Sequence, residues 1–260
     1  MSEASEAMRK PNLPAFLLAL SAAGSAAAQS SAPTGHSWLM MVTTQNTDPS
    51  QEAAFNDWYD RIDSPDVLEV PGYERARRGL EQRLPGDASA PDKPLNYVAL
   101  YNIESCDIDK TIIKMLMASW GMEKTHQSTP LLKVTERVYF QEDRAPRDPP
   151  PRSAASAHHY LYLAKFAGSA EPAARRAFNR WYDHDFMPTV LAARGVTRIT
   201  RYRLYWVLMD KPVPVPEFLS VIEIDADSAA EARANVQSSV AAKPADGSAL
   251  FVTINDVRRP

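Results

Sequence analysis

A chain of 260 residues, 45% hydrophobic and 23% charged, has the composition of an ordinary globular protein and the length for one large domain or two small ones. Its net charge of -3 at pH 7 supplies no global positive field to recruit nucleic acid or an anionic membrane. The single cysteine, Cys106, excludes an internal disulfide, and no Cys/His grouping has zinc-site spacing, so no metal is expected.

Residues 1–36 read as a signal peptide or a disordered tail and stand outside the fold. Met8-Arg9-Lys10 is a short basic start, Leu13 to Gly24 is apolar and small, and Ala26-Ala27-Ala28 precedes Gln29 as a cleavage site. Those are the parts of a secretory signal, and the apolar run is too short to span a bilayer. The acidic prefix Ser2 to Glu6 is foreign to such a start and favours Met8 over Met1 as initiator. The expected location is periplasmic or secreted if the signal is real and cytoplasmic otherwise.

Beyond the tail the chain repeats itself. Phe55-Asn56-Asp57-Trp58-Tyr59-Asp60 recurs as Phe178-Asn179-Arg180-Trp181-Tyr182-Asp183, displaced by 123 positions. The same displacement carries Pro65 to Pro188, Gly72 to Gly195, Arg75 to Arg198 and Arg78 to Arg201, and lays Trp38–Thr43 on Leu161–Phe166. A repeat at fixed spacing is the mark of a duplicated unit. The first copy spans 37–142, a Pro-rich linker 143–157, and the second copy 158–260.

In chain order each copy predicts β-α-β-β-α-β. Strand one covers 38–44 or 160–167. Helix one covers 49–68 or 172–191, with Phe55, Trp58, Tyr59 and Ile62 at helical spacing. Strand two follows Gly72 or Gly195, strand three covers 95–103 or 217–224, helix two 108–120 or 229–240, and strand four 134–141 or 250–257. This is the split-βαβ order. Several strands are near-continuous apolar runs, as in Trp38–Val42, Tyr97–Tyr101 and Phe218–Ile222. Such strands are covered on both faces. Helices cover one face, and the sheet of the other copy must cover the second. The expected fold class is α+β: two ferredoxin-like repeats whose sheets face each other to form an α/β barrel.

The segments Phe55–Arg78 and Phe178–Arg203 resemble the dimeric α/β barrel superfamily, and within it the EthD-like group, which often carries a Phe-x-x-Trp-Tyr helix, a His-x-Pro, then Pro-Gly and an Arg-rich strand. The resemblance covers most of Trp38–Val257. It implies a barrel, and relatives that are cofactor-free oxygenases, isomerases or decarboxylases, haem enzymes, or proteins without known chemistry. The histidine of that pattern lies five residues after the Trp, where this chain has Asp63 and Phe186.

On a helical wheel Asp185 falls within the Phe178/Trp181/Tyr182 stripe, with His184 on its flank. A carboxylate on an apolar face must be paired, hydrogen-bonded or protonated. The pair therefore reads as a general base, His184, oriented by Asp185, with Arg198 or Arg201 steadying an oxyanion. The plainer reading is a helix that ends before Pro188 with both side chains in water. Trp181, Tyr182, Trp58, Tyr59 and Asp63 are the candidate ligand contacts, although aromatic residues at this spacing more often pack a helix on a sheet. The arginines read equally as Arg–Asp pairs.

The function expected is a cofactor-independent enzyme acting on a small apolar or aromatic substrate by proton transfer. It is read as a monomer or homodimer without a membrane span, whose partner is a small-molecule ligand. The alternatives are a non-catalytic exported binder of a lipophilic or aromatic ligand, or a haem protein with His184 as axial ligand. If Met8 starts a signal, intact-mass measurement on protein from the native host should find a mature chain beginning near Gln29, and a retained N-terminus in the cytosol would refute it.

Overall fold

The computed structural model describes residues 36–84, 93–124, 128–149, 158–208, 215–240 and 247–259, so the expected targeting segment lies outside the described residues. The first copy comprises strand β1 (His36–Asn46), helix α1 (Glu52–Trp58), a π-helical turn (Tyr59–Asp63), helix α2 (Ser64–Glu69), strands β2 (Tyr73–Glu81) and β3 (Tyr97–Ser105), helix α3 (Ile108–Lys124) and strand β4 (Leu132–Arg147). The second repeats the order: β5 (His158–Phe166), α4 (Pro172–Trp181), a π-helical turn (Tyr182–Phe186), α5 (Met187–Ala192), β6 (Val196–Val207), β7 (Phe218–Ala226), α6 (Ala229–Val240) and β8 (Gly247–Arg258). Asp48 and Glu171 start the two helical stretches by accepting the Ser50 and Ala173 amides at 3.1 and 2.8 Å.

All neighbouring strands are antiparallel, and they close into a barrel of order β1-β3-β2-β8-β5-β7-β6-β4. Each copy contributes a four-stranded sheet, β4-β1-β3-β2 or β8-β5-β7-β6, and the seams β2/β8 and β4/β6 join them. The doubly apolar strands are thereby explained. Leu39, Met41, Val98, Leu100, Leu161, Leu163, Leu219 and Val221 pack in the lumen with Val138, Phe140, Tyr202 and Phe251. The alternate residues face outward into two separate helix-covered cores, one for each copy. Closure leaves no free edge among these strands.

Two boundaries differ from the sequence reading. Strand β4 runs to Arg147, into the stretch read as linker from 143, because its end pairs across the seam with β6 (Glu142 opposite Tyr202, Arg144 opposite Arg201). The displacement of 123 also fails in the first strand. Met40 faces Tyr101 and Tyr162 faces Ile222, while Ala76 and its counterpart Ile199 face those same residues, so Met40 corresponds to Tyr162 and Trp38 to Tyr160. A one-residue slip would have turned helix-facing Trp38 onto the position of lumen-facing Leu161. The single cysteine, Cys106, is exposed.

Gly72 and Gly195 open the second strand of each copy with φ of 101° and 76°, and their carbonyls accept the Glu104 and Asp225 amides at 2.8 Å. A Cβ at Gly195 would lie 2.2 Å from the Asp225 carbonyl oxygen, whereas one at Gly121 on α3 meets nothing within 4 Å. Gly195→Ala should therefore cost more than about 1 kcal/mol, while Gly121→Ala should stabilise by about 0.5–1 kcal/mol. Chemical denaturation of the two variants tests this ranking, and equal midpoints would contradict it.

Candidate functional site

The π-helical turns set what the first helical stretch shows to the sheet. Each precedes a proline, Pro65 or Pro188, whose ring has no N–H to donate and crowds the carbonyl four residues back. Widening the helix by one residue relieves that crowding and rotates everything after it. The buried residues of the second copy thus run Phe178, Tyr182, Phe186, not Phe178, Trp181, Asp185. This corrects the helical wheel: Asp185 and His184 face solvent, and the enclosed acid/base pair expected there does not form. In the first copy the same rotation turns Asp63, the counterpart of Phe186, toward the sheet and leaves Ile62 beside the stripe.

Around Asp63 the first copy builds a polar cluster on its helix-covered face. The Tyr101 hydroxyl, from β3, donates to Asp63 Oδ2 at 3.0 Å. Burial pushes the Asp63 carboxyl up to about 6, against the lowering effects of the Tyr101 hydrogen bond and the Arg137 and Arg78 charges. Burial, then the Asp63 charge, likewise raise the Tyr59 and Tyr101 hydroxyls. Arg78 is almost wholly buried, pairs with Asp60, donates to Asn56 Oδ1 at 3.0 Å, and lies 3.9 Å from the Tyr59 ring centre. Tyr73 and Tyr139 complete the floor, with the Tyr73 hydroxyl 3.7 Å from Met40 Sδ and the Trp206 ring 5.8 Å from that of Tyr139. Asp63, Arg137, Trp58 and Trp206 are half-buried, so the cluster reaches the surface along the β4/β6 side.

The second copy has the same scaffold without these polar groups. Strand register equates Tyr101 with Ile222, Tyr73 with Val196, Tyr139 with Leu250 and Arg137 with Ser248, and the helix equates Asp63 with Phe186. Phe166, Phe178, Trp181, Tyr182, Phe186 and Phe218 fill the space, with the Phe178 and Phe218 rings stacked at 4.9 Å. Tyr182 shares a hydrogen bond with Ser220 at 2.8 Å. Arg201 lies 4.5 Å from the Tyr182 ring centre and bonds Asn179 and Asp143 at 2.6 Å each, and burial lowers its pKa despite Asp143. Asp183 pairs with Arg144 at 3.3 Å, not with a strand-two arginine.

The remaining arginine of the expected site is elsewhere. Arg198 bonds Asp148 at 2.8 and 3.1 Å and lines a cavity of about 450 Å³ at one barrel mouth, together with Arg75, Arg77, Glu104, Glu142 and Glu223. The other mouth holds a cavity of about 510 Å³ over Met41, Leu163 and Phe251. His184, Arg198 and Arg201 therefore do not converge, whereas Tyr59, Asp63 and the half-buried Trp58 of the first copy do belong to one interface. Among the described residues no group of three or more His, Cys, Asp and Glu could hold a metal ion. No helix among them is long and apolar enough to cross a membrane. Tyr73, Tyr101, Arg137 and Tyr139 were missed by sequence reasoning. A comparison of the copies in the correct strand register would have exposed them as polar positions answered by apolar or small ones.

An eight-stranded closed antiparallel barrel with two β-α-β-β-α-β halves and helices outside it defines an α+β barrel. No family model and no curated protein matches the sequence. Among solved structures the chain is similar to a candidate monooxygenase from Fusobacterium nucleatum subsp. nucleatum, with 8% identity, a TM-score of 0.52, and coverage of 86% of this chain and 95% of that one. It is similar also to an anthrone oxidase-like protein, with 10% identity, a TM-score of 0.52, and coverage of 85% and 93%. At such identities the likeness is one of fold.

Burial raises the Asp63 carboxyl from the ordinary 3.8 to about 6 in the fold. Between those values the folded chain holds the proton more tightly, so this residue favours folding most below 3.8, and that benefit is lost as pH rises through about 6. Asp63→Asn removes the charge, and its urea midpoint relative to the unmodified chain should climb from pH 4 to pH 7. Midpoints that stay parallel over that range would contradict the buried-carboxyl assignment.

Proposed function

We propose that the first copy carries the functional site, and that it is a proton-transfer site of the EthD-like kind for a small apolar or aromatic molecule. The observation that carries this reading is the asymmetry at Asp63. A half-buried carboxyl with a pKa near neutrality, bonded to Tyr101, stands where the second copy has Phe186. A group that titrates near working pH is the efficient general base. Asp63 accepts the substrate proton, Tyr101 holds the carboxyl in one orientation, and the Arg78–Asp60–Asn56 arrangement fixes Tyr59 beside them. The second copy acts as the scaffold that closes the barrel.

The alternative of a non-catalytic binder uses the same interface without turnover, and one experiment separates the two. Anthrone is the first probe: removal of an acidic C–H proton gives a carbanion that dioxygen oxidises to anthraquinone, with water as the other product. The protein should accelerate the absorbance change of that conversion, with the rate rising through pH 6 as Asp63 ionises. Asp63→Asn should lower the rate by about 10²–10⁴-fold, the usual loss for a positioned acid/base. His184→Ala should leave it unchanged. An unaffected rate in Asp63→Asn would sink the assignment of the base. No acceleration of anthrone or of a panel of C–H-acidic aryl ketones would leave the binder as the function.

A further inference from the structure

Nearly every arginine packed between or within the layers of this barrel has its own anion. Arg75 bonds Asp256 at 2.8 Å, Arg77 bonds Glu223 at 2.7 Å, Arg198 bonds Asp148 at 2.8 Å, Arg201 bonds Asp143 at 2.6 Å, and Arg78 bonds Asp60. Arg137 is the exception. It lies on β4 opposite Val42, on the helix-covered face, two residues from Tyr139. Among the described residues it makes no ion pair and no side-chain hydrogen bond, and its Nε is buried without a partner. Tyr139 stands on the same face of β4, so the Arg137 side chain leaves the strand at the wall of the polar cluster, and its charge lowers the Asp63 carboxyl. Asp63 is the other charged group there without an ion pair, and the two are not in salt-bridge contact. A half-buried guanidinium without an anion is costly, and the cost is removed by a ligand that brings one.

We infer that Arg137 is the anion-recognising residue of this site, and that the molecule it admits is a monocarboxylate with a flat apolar body. The inference rests on the reading that the first copy holds the site, and it names the substrate class. A guanidinium presents parallel N–H donors that match the two oxygens of a carboxylate. The half-buried Trp206, packed against Tyr139, supplies apolar surface for the body. One cation matches one negative charge, and Asp63 nearby opposes a dianion such as a phosphate monoester. The second copy has Ser248 in the place of Arg137, so it lacks this cation.

Calorimetric titration with 2-naphthoate and with its neutral isostere 2-naphthamide tests this directly. The intact protein should prefer naphthoate by about tenfold or more, the range of a charge-assisted hydrogen bond. Arg137→Gln should abolish the preference and Arg137→Lys should retain part of it, with melting temperatures close to that of the unmodified chain because no protein contact is lost. Asp63→Asn should keep the preference. Equal affinities for acid and amide, a preference that survives Arg137→Gln, or no saturable naphthoate binding would each overturn the inference. Loss of anthrone turnover in Asp63→Asn alongside equal affinities would overturn it while leaving the proposed base standing.

Discussion

Everything in this structure depends on the burial of a second apolar face. A single four-stranded sheet of either copy would leave Leu39, Met41, Val98 and Leu100, or Leu161, Leu163, Leu219 and Val221, against water. Burying apolar area is worth roughly 25 cal/mol per Å², so two such sheets gain most by enclosing one lumen. The seams follow from that. Edge strands β2 and β4 find β8 and β6, and the end of β4 is drawn past the expected boundary to meet Arg201 and Tyr202. With the lumen filled through its middle by aliphatic and aromatic side chains, polar chemistry is confined to the barrel mouths and to the spaces under the helices.

Under the helices the copies are alike in frame and opposite in content. Both have a proline-linked π turn, both set a buried arginine beneath a tyrosine ring, and both hold that arginine with an asparagine one turn before the tyrosine. A frame of that kind is independent of what occupies the position after it. In the second copy that position is Phe186 and its neighbours are Phe166, Trp181 and Tyr182, a close-packed aromatic cluster. In the first it is Asp63, facing tyrosine hydroxyls and a guanidinium. Filling one half with aromatic rings secures the fold, and the other half can then carry groups whose burial costs stability.

The charges sort by whether a partner is available across a strand pair. Arg75 with Asp256 and Arg198 with Asp148 are fork-like pairs at corresponding ends of the two copies, which fix register at the barrel rim. Arg77 and Glu223 close the lumen from opposite sides. Burial lifts the Glu223 carboxyl, but the His159 hydrogen bond and the Arg77 charge outweigh it and hold that carboxyl at about 2. Against this background of ion pairs, Asp63 and Arg137 stand apart as charged groups of one interface that are not paired with each other.

The sequence alone determined the architecture. The recurring Phe-x-x-Trp-Tyr helix gives the repeat, the proline and glycine that follow it give the helix end and the turn, and strands apolar on both faces require a second sheet. These are local periodicities, and they survive without knowledge of contacts. Tertiary structure decided where the chemistry sits. One extra residue in a π turn moves Asp185 into water and Asp63 under the helix, and an ideal wheel at 100° per residue cannot contain it. One residue of register in the first strand decides that Trp38 corresponds to Tyr160, and only hydrogen-bonded pairing fixes that register. The residues around Asp63 come from β2, β3 and β4, far apart in sequence, and strand pairing within the first copy's sheet is what brings them to one surface.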